Sequence, residues 1–179
     1  MSTPAGEPMP DSAEAFAAAV RPAVRADYNA VAALNREVQQ LHVDAHPQLF
    51  KPDASGGFSA EVFEGMLERP GGHLLVVVED GKVAGYLYAY DVQRPETWAT
   101  FARPHMYIDQ IAVAAVSQRH GLGSRLMDAV LERARLVGIE RVELDTWWFN
   151  SRARSFFARH GFGEQIVRFA KRVPEQLRR

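Results

Sequence analysis

Apolar and polar positions change period several times along the 179 residues, and each change marks an element. Ala17 to Arg25 alternates loosely, which predicts a first strand, with Pro22 placing it at a sheet edge. Asp27 then caps a helix whose apolar face is Val31, Leu34, Val38 and Leu41. The pattern breaks from His42 to Gly57, which reads as an irregular loop. Ser59 opens a short second helix through Glu68, and Pro70-Gly71-Gly72 stops it. His73 to Glu79 and Lys82 to Tyr90 are β-branched and apolar around an Asp80-Gly81 turn, so they predict a hairpin. Tyr86, Tyr88 and Tyr90 share one face of its return strand. A connection over 91–104 contains Trp98 and leads into a strand from Met106 to Val113. Leu122 begins an amphipathic helix with Leu126, Met127, Val130, Leu131, Ala134 and Val137 on its buried side, ended by Gly138. Arg141 to Thr146 is a further strand, Asn150 or Ser151 starts a short helix that Gly161 stops, and Phe162 to Val173 is a last strand. Residues 1–15, rich in Pro, Ala, Ser and acid, read as a flexible tail ahead of a single domain over 16–179. The order is that of a mixed α/β (α+β) domain with helices on a central sheet.

Composition narrows the classes. The chain is 47% hydrophobic and 24% charged, which excludes a wholly disordered protein. It holds no cysteine, which removes disulfides, zinc–thiolate and iron–sulfur sites and a thiol nucleophile. Its apolar runs fall far short of the roughly 20 residues of a membrane helix, so no membrane partner is expected. Met1 to Pro10 lacks Lys and Arg, so no secretory leader is expected there and the expected location is cytoplasmic. Only Lys51, Lys82 and Lys171 are lysines among 21 basic residues, a bias associated with GC-rich bacterial genomes.

The net charge of −1 hides an asymmetry. Residues 1–113 carry 8 basic and 15 acidic side chains, a net of −7; residues 114–179 carry 13 and 7, a net of +6. The first part suits a cationic ligand and the second an anionic one. No basic recognition helix is present, so no nucleic-acid partner is expected. His42 and His46 are four apart, but Pro47 breaks the helix there and no HExxH glutamate accompanies them, so no metal is expected. They are candidates for an acceptor-pocket wall, or for a packed loop.

The segment YIDQIAVAAVSQRHGLGSRLM carries the chemistry. An apolar strand enters a turn with Gly121 and Gly123 and passes directly into a helix. Backbone N–H groups at a helix N-terminus, with its dipole, form an anion site, and glycines let a phosphate come close. Arg119, His120 and Arg125 add positive charge. The Walker pattern is absent, and Leu126 stands where a dinucleotide fingerprint needs its third small residue. Pyrophosphate is the ligand this turn suits.

Gln118-Arg119-His120-Gly121-Leu122-Gly123 matches the Q/R-x-x-G-x-G/A signature of the GNAT superfamily of acyl-CoA-dependent N-acetyltransferases. Downstream, LDTWWFNSRARSFFARHGF resembles the superfamily's Asn-x-x-Ala segment with its aromatic pair and Gly-Phe, at Asn150, Ala153, Phe156, Phe157, Gly161 and Phe162. The hairpin VVVEDGKVAGYLYAY resembles its second and third strands, so the resemblance spans roughly residues 18–172. It implies a mostly antiparallel mixed sheet of six to seven strands with about four helices, splayed between the strands at 106–113 and 141–146. Acetyl-CoA would be the co-substrate. Backbone groups of Ile111, Ala112 and Val113 would pair with its pantetheine, those of Arg119 to Ser124, next to Gln118, would hold its pyrophosphate, and Asn150 would bond it from the other side of the cleft. Phe157 would adjoin the cofactor, with chain-length selectivity depending on it, Phe156 and Trp148.

The reaction the resemblance implies is direct attack of a primary amine on the thioester, with a small cationic molecule as the expected acceptor. A protein N-terminus or lysine is the alternative acceptor. Asp109 is the candidate base, at a strand position where many relatives carry Glu. Gln110 cannot take a proton but can orient a partner, and His105 is read as a loop histidine. Many members carry a Tyr acid seven residues after the motif Asn; here that residue is Phe157. Tyr107, Ser155 or a water would have to substitute, or the thiolate would leave unaided. A non-catalytic acyl-CoA sensor is the rival reading. Oligomeric state stays open, with a homodimer as one option.

Overall fold

A tight reversal organises the sheet. Asp80 and Gly81 both take positive φ, 50° and 74°, the conformation whose twist matches two antiparallel strands. They join β2 (Gly72–Glu79) to β3 (Lys82–Val92). The computed structural model describes residues 18–52 and 57–171; the expected tail over 1–15 lies outside them. The chain forms two compact units, one through Asp145 and one from Thr146.

In the first unit, β1 (Ala19–Pro22), β2, β3, β4 (His105–Val113) and β5 (Val142–Leu144) form one sheet in that spatial order. β1 to β4 are antiparallel neighbours and β5 runs parallel to β4. Pro22 sits on the edge strand, where its missing N–H breaks no ladder. α1 (Tyr28–Ala45) and α2 (Ala60–Glu68) cover one face. Val31, Leu34, Phe63 and Met66 pack there against Leu74, Val76, Tyr86, Tyr88 and Ala112. α3 (Leu122–Leu136) packs on β2, β3 and β4 with Leu122, Leu126, Met127, Val130 and Ala134 buried. The alternate strand positions Val77 and Leu87 are buried on that other face.

The second unit holds α4 (Ser151–Arg159). Its last turn closes on Gly161 at φ 82°, a conformation that favours glycine.

The four helices match expectation, with α1 running four residues further than expected, through Ala45. The strand count does not. The sheet has five strands among the described residues rather than six to seven. Phe162 to Lys171 forms no regular element, with Ile166 and Phe169 exposed, and the last two residues of that expected strand lie outside the described residues. β-propensity signals a side chain that fits a half-buried pleat; without a ladder partner it does not make a strand. β5 is likewise only three residues long.

One ion pair pins the entry to α1. Buried Asp27 accepts from Arg21 at 2.7 and 2.8 Å and from the Val24 N–H at 2.8 Å. The Arg21 hydrogen bonds hold its carboxyl below the usual range, against burial, with the Val24 N–H and the Arg21 charge adding to them. A depressed folded pKa gives stability that is present above the unfolded value of about 3.9 and lost as pH falls through the folded one. Asp27→Asn is expected to lose about 1–2 kcal/mol at neutral pH, limited by the half-exposed Arg21. Urea melts at a series of pH values should show the full wild-type advantage at pH 7 and a progressive loss of it as pH falls below about 3.9.

Candidate active site

β4 loses its neighbours on both sides at one residue. Its parallel pairing with β5 ends at Ile108–Leu144. On the other side, β3 pairs Ala89 with Ile108 and Tyr88 with Gln110, so Asp109 is the extra residue of a β-bulge. β5 ends at Leu144, so within this unit it gives β4 no partner from Asp109 onward. Ile111, Ala112 and Val113 occupy that stretch, held in register by Leu87, Tyr86 and Gly85.

The bulge sets Asp109 beside a hydrogen-bonded network. Burial pushes the Tyr86 hydroxyl up to about 12, so it keeps its proton. It donates to Gln110 Oε1 at 2.7 Å, and Asn35 Nδ2 of α1 donates to the same oxygen at 3.0 Å. With both donors on Oε1, the Gln110 amide nitrogen must face the other way, and it donates to Asp109 Oδ2 at 3.1 Å. Gln110 thus fixes one oxygen of an exposed carboxylate. No local pattern marks Asn35, which lies 75 residues from Gln110 and is brought to it only by the packing of α1.

Asp109 lines an open depression of about 600 Å³ together with Arg69, Tyr90, Asp91, Tyr107 and Asp145. Tyr107 donates to Asp145 Oδ2 at 3.1 Å. Burial, then the Asp145 charge and hydrogen bond, raise the Tyr107 hydroxyl well above a free phenol. Asp91 is held from behind. Arg133 of α3 can only donate, so at 3.3 Å it fixes His73 Nδ1 as acceptor, and His73 Nε2 then carries the proton donated to Asp91 Oδ1 at 3.0 Å. His73 is buried. Of the three tyrosines expected to share a face, only Tyr90 reaches this depression; Tyr86 and Tyr88 are core.

His105 differs from expectation. It is the first residue of β4 and only 1% exposed, with Nδ1 donating to the Arg103 carbonyl at 3.2 Å. His42 lies within α1 and stacks on Phe50 at 4.8 Å, and neither it nor His46 borders the depression.

Beyond β4 the backbone is bent to expose amides. Arg119 takes φ 74° and Gly121 φ 77°, the latter as N-cap of α3 with no side-chain cap. A non-glycine residue held in the left-handed region stores strain, which is common in ligand clamps. Gln118 Nε2 donates to the Val113 carbonyl at 3.1 Å and ties the turn to the end of β4. Leu122, Gly123 and Ser124 form the first turn of α3, where N–H groups have no intrahelical acceptor. Leu122 anchors that turn in the core. His120 Nδ1 lies 3.2 Å from Glu79 Oε1.

In the second unit, Asn150 Oδ1 accepts from the Ala153 N–H at 3.0 Å as the cap of α4. Phe157 is buried in edge-to-face contact with Phe156 and Phe162. Ser155 is exposed on the helix, and Arg154 pairs with Glu164. Trp147 and Trp148 are both exposed, at 42% and 74%. Among the described residues no group of His, Asp and Glu is arranged to hold a metal ion, and no helix is long and apolar enough to cross a membrane.

A mixed sheet opened at one strand, followed by a helix N-terminus built on glycine, defines the fold. Solved structures carry it: the BH1408 protein of Bacillus halodurans is 24% identical, with a TM-score of 0.83 over 87% of this chain and 99% of that one, in its tetramutant form. An aminoglycoside acetyltransferase, meta-AAC0020, from an uncultured soil metagenomic sample is 21% identical, with a TM-score of 0.57 over 88% and 97%. Aminoglycoside N-acetyltransferase AAC(6')-Iy in complex with CoA is 16% identical, with a TM-score of 0.62 over 87% and 100%. The family model for the acetyltransferase (GNAT) family matches residues 35–162, and the chain belongs to that family.

Proposed function

We propose that this protein transfers an acetyl group from acetyl-CoA to the primary amine of a small molecule that arrives as an ammonium ion. The observation that carries the reading is the coincidence, on one strand, of an open edge, a bulged carboxylate and a glycine-built helix N-terminus. The residues fit the co-substrate. The amides of the turn from Arg119 to Ser124 suit a pyrophosphate, and the open backbone of Ile111 to Val113 suits an amide-containing arm that adds as a strand. Asn150 and Phe157 are further candidate cofactor residues, by the motif they belong to.

Acetyl-CoA supplies an activated acyl carbon on a sulfur leaving group. Asp109 accepts the proton that the ammonium must lose, directly or through one water, and Gln110 keeps the accepting oxygen aimed. The C–N bond forms as the C–S bond breaks; the first ammonium proton goes by way of Asp109 to solvent, and the second, lost from nitrogen as the amide forms, goes to the departing thiolate directly or through water. With no cysteine in these 179 residues, an acyl-cysteine relay has no nucleophile, which favours direct attack. Thiols ionise near about 8.5, so the thiolate leaves without a strong acid. Tyr107 is a poor proton donor for it, since Asp145 already takes its proton; Ser155 and water remain candidates. These 179 residues are proposed to work in the cytoplasm.

Amine-dependent release of free thiol from acetyl-CoA tests the reading. Release only when a primary amine is present supports it; binding without release from any amine favours the sensor, the reading that Phe157 in place of a tyrosine motivates. A companion result is expected of Gly121→Ala. No atom obstructs the added Cβ, so only the backbone at φ 77° is penalised, by about 1–2 kcal/mol. Relaxation of that strain would misaim the first amides of α3. Acetyl-CoA affinity should fall about 5–30-fold by calorimetry, with the melting temperature lower by about 2–8 °C.

A further inference from the structure

The depression beside Asp109 looks acidic by count, but its charges are not equally available. Asp91 is committed to the His73 N–H, itself held by Arg133. Asp145 is committed to the Tyr107 hydroxyl. Asp109 carries only the neutral amide of Gln110 and faces solvent. Against these stand two guanidiniums. Arg69 lies over the Tyr90 ring at 3.7 Å, so it is held in place by a neutral group. Among the described residues no carboxylate pairs with Arg69 or with Arg94, which lines the same depression.

The depression therefore presents an exposed carboxylate, Asp109, and a guanidinium stacked on Tyr90, Arg69, that has no carboxylate partner among the described residues. We infer that the acceptor is a zwitterion, an amine that also carries a carboxylate, with its ammonium at Asp109 and its carboxylate on Arg69; this rests on the transferase reading of the site. The planar fork of Arg69 matches two carboxylate oxygens at once, and stacking on Tyr90 fixes the fork before the ligand arrives. The aromatic faces of Tyr90 and Tyr107 wall the carbon skeleton between the two charges.

Matched pairs test this: glycine and methylamine, β-alanine and ethylamine, 4-aminobutyrate and propylamine, phenylalanine and phenethylamine. Each is assayed for thiol release with acetyl-CoA and titrated calorimetrically onto protein saturated with CoA. In at least one pair the carboxylate-bearing member should win by about tenfold or more in kcat/KM or in affinity. Arg69→Gln should erase that advantage by raising KM or Kd for the zwitterion alone, and Arg69→Lys should restore part of it. If the plain amine equals or beats its partner in every pair, or no member binds, the inference is overturned. It is overturned equally if Arg69→Gln weakens both members alike. Arg69-dependent binding of a zwitterion without thiol release from any amine would keep this inference and remove the transferase reading.

Discussion

Asp109→Asn should lower turnover about 10²–10³-fold while acetyl-CoA binding stays within about twofold. The substitution keeps size and shape, and the Asn oxygen still accepts from Gln110 Nε2. What it removes is the ability to take a proton at the bulge. The penalty should therefore appear in kcat, measured by thiol release at saturating amine, and shrink as pH rises and more amine arrives uncharged. A variant within a few-fold of wild type across that range would mean that solvent accepts the proton and that Asp109 only binds the ammonium.

The second large effect is expected at Gly85, in β3 beneath the open stretch of β4. A Cβ there would sit 2.8 Å from the Ala112 carbonyl oxygen and 3.1 Å from the Val113 and Val77 side chains. The carbonyl is backbone, locked in the β3–β4 ladder by the Gly85–Val113 and Tyr86–Ala112 rungs, so relief requires β4 itself to move. Gly85→Ala should cost about 1–3 kcal/mol, a fall of several degrees in melting temperature. The displaced strand is also the proposed seat of the pantetheine arm, so acetyl-CoA affinity should drop in the same variant. A melting temperature equal to wild type would show that the two strands are looser here than their register implies.

These two residues also mark how far the sequence could be read. Asp109 was singled out by the family resemblance of its segment, at a position where many relatives carry Glu, and the glycines of the 118–124 turn announced the helix start that the structure has at Leu122. Neither the bulge nor Gly85's close approach has a local signature. Both depend on which strand lies alongside, and an extra residue in a ladder is invisible until its partner is known. Asn35, His73, Arg133 and Arg69 went unread for the same reason: each acquires its role from a neighbour 18 to 75 residues away. His105 was misread because a histidine after Arg-Pro resembles a loop, whereas the β3–β4 ladder extends to pair it with Val92. The strand expected at Phe162 failed in the opposite direction: its pattern was strong, but pattern specifies a face, not a partner.

The measurement that bears most directly on the central claim is a calorimetric titration of acetyl-CoA onto the wild-type protein. Saturable binding of about one molecule per chain, with a dissociation constant on the order of micromolar to tens of micromolar and weaker in Gly121→Ala, is the predicted result. No binding heat at any temperature tried, with the protein folded by its melting curve, would contradict the assignment of Gln118 to Ser124 as a phosphate-holding turn, and the proposed transferase would fall with it.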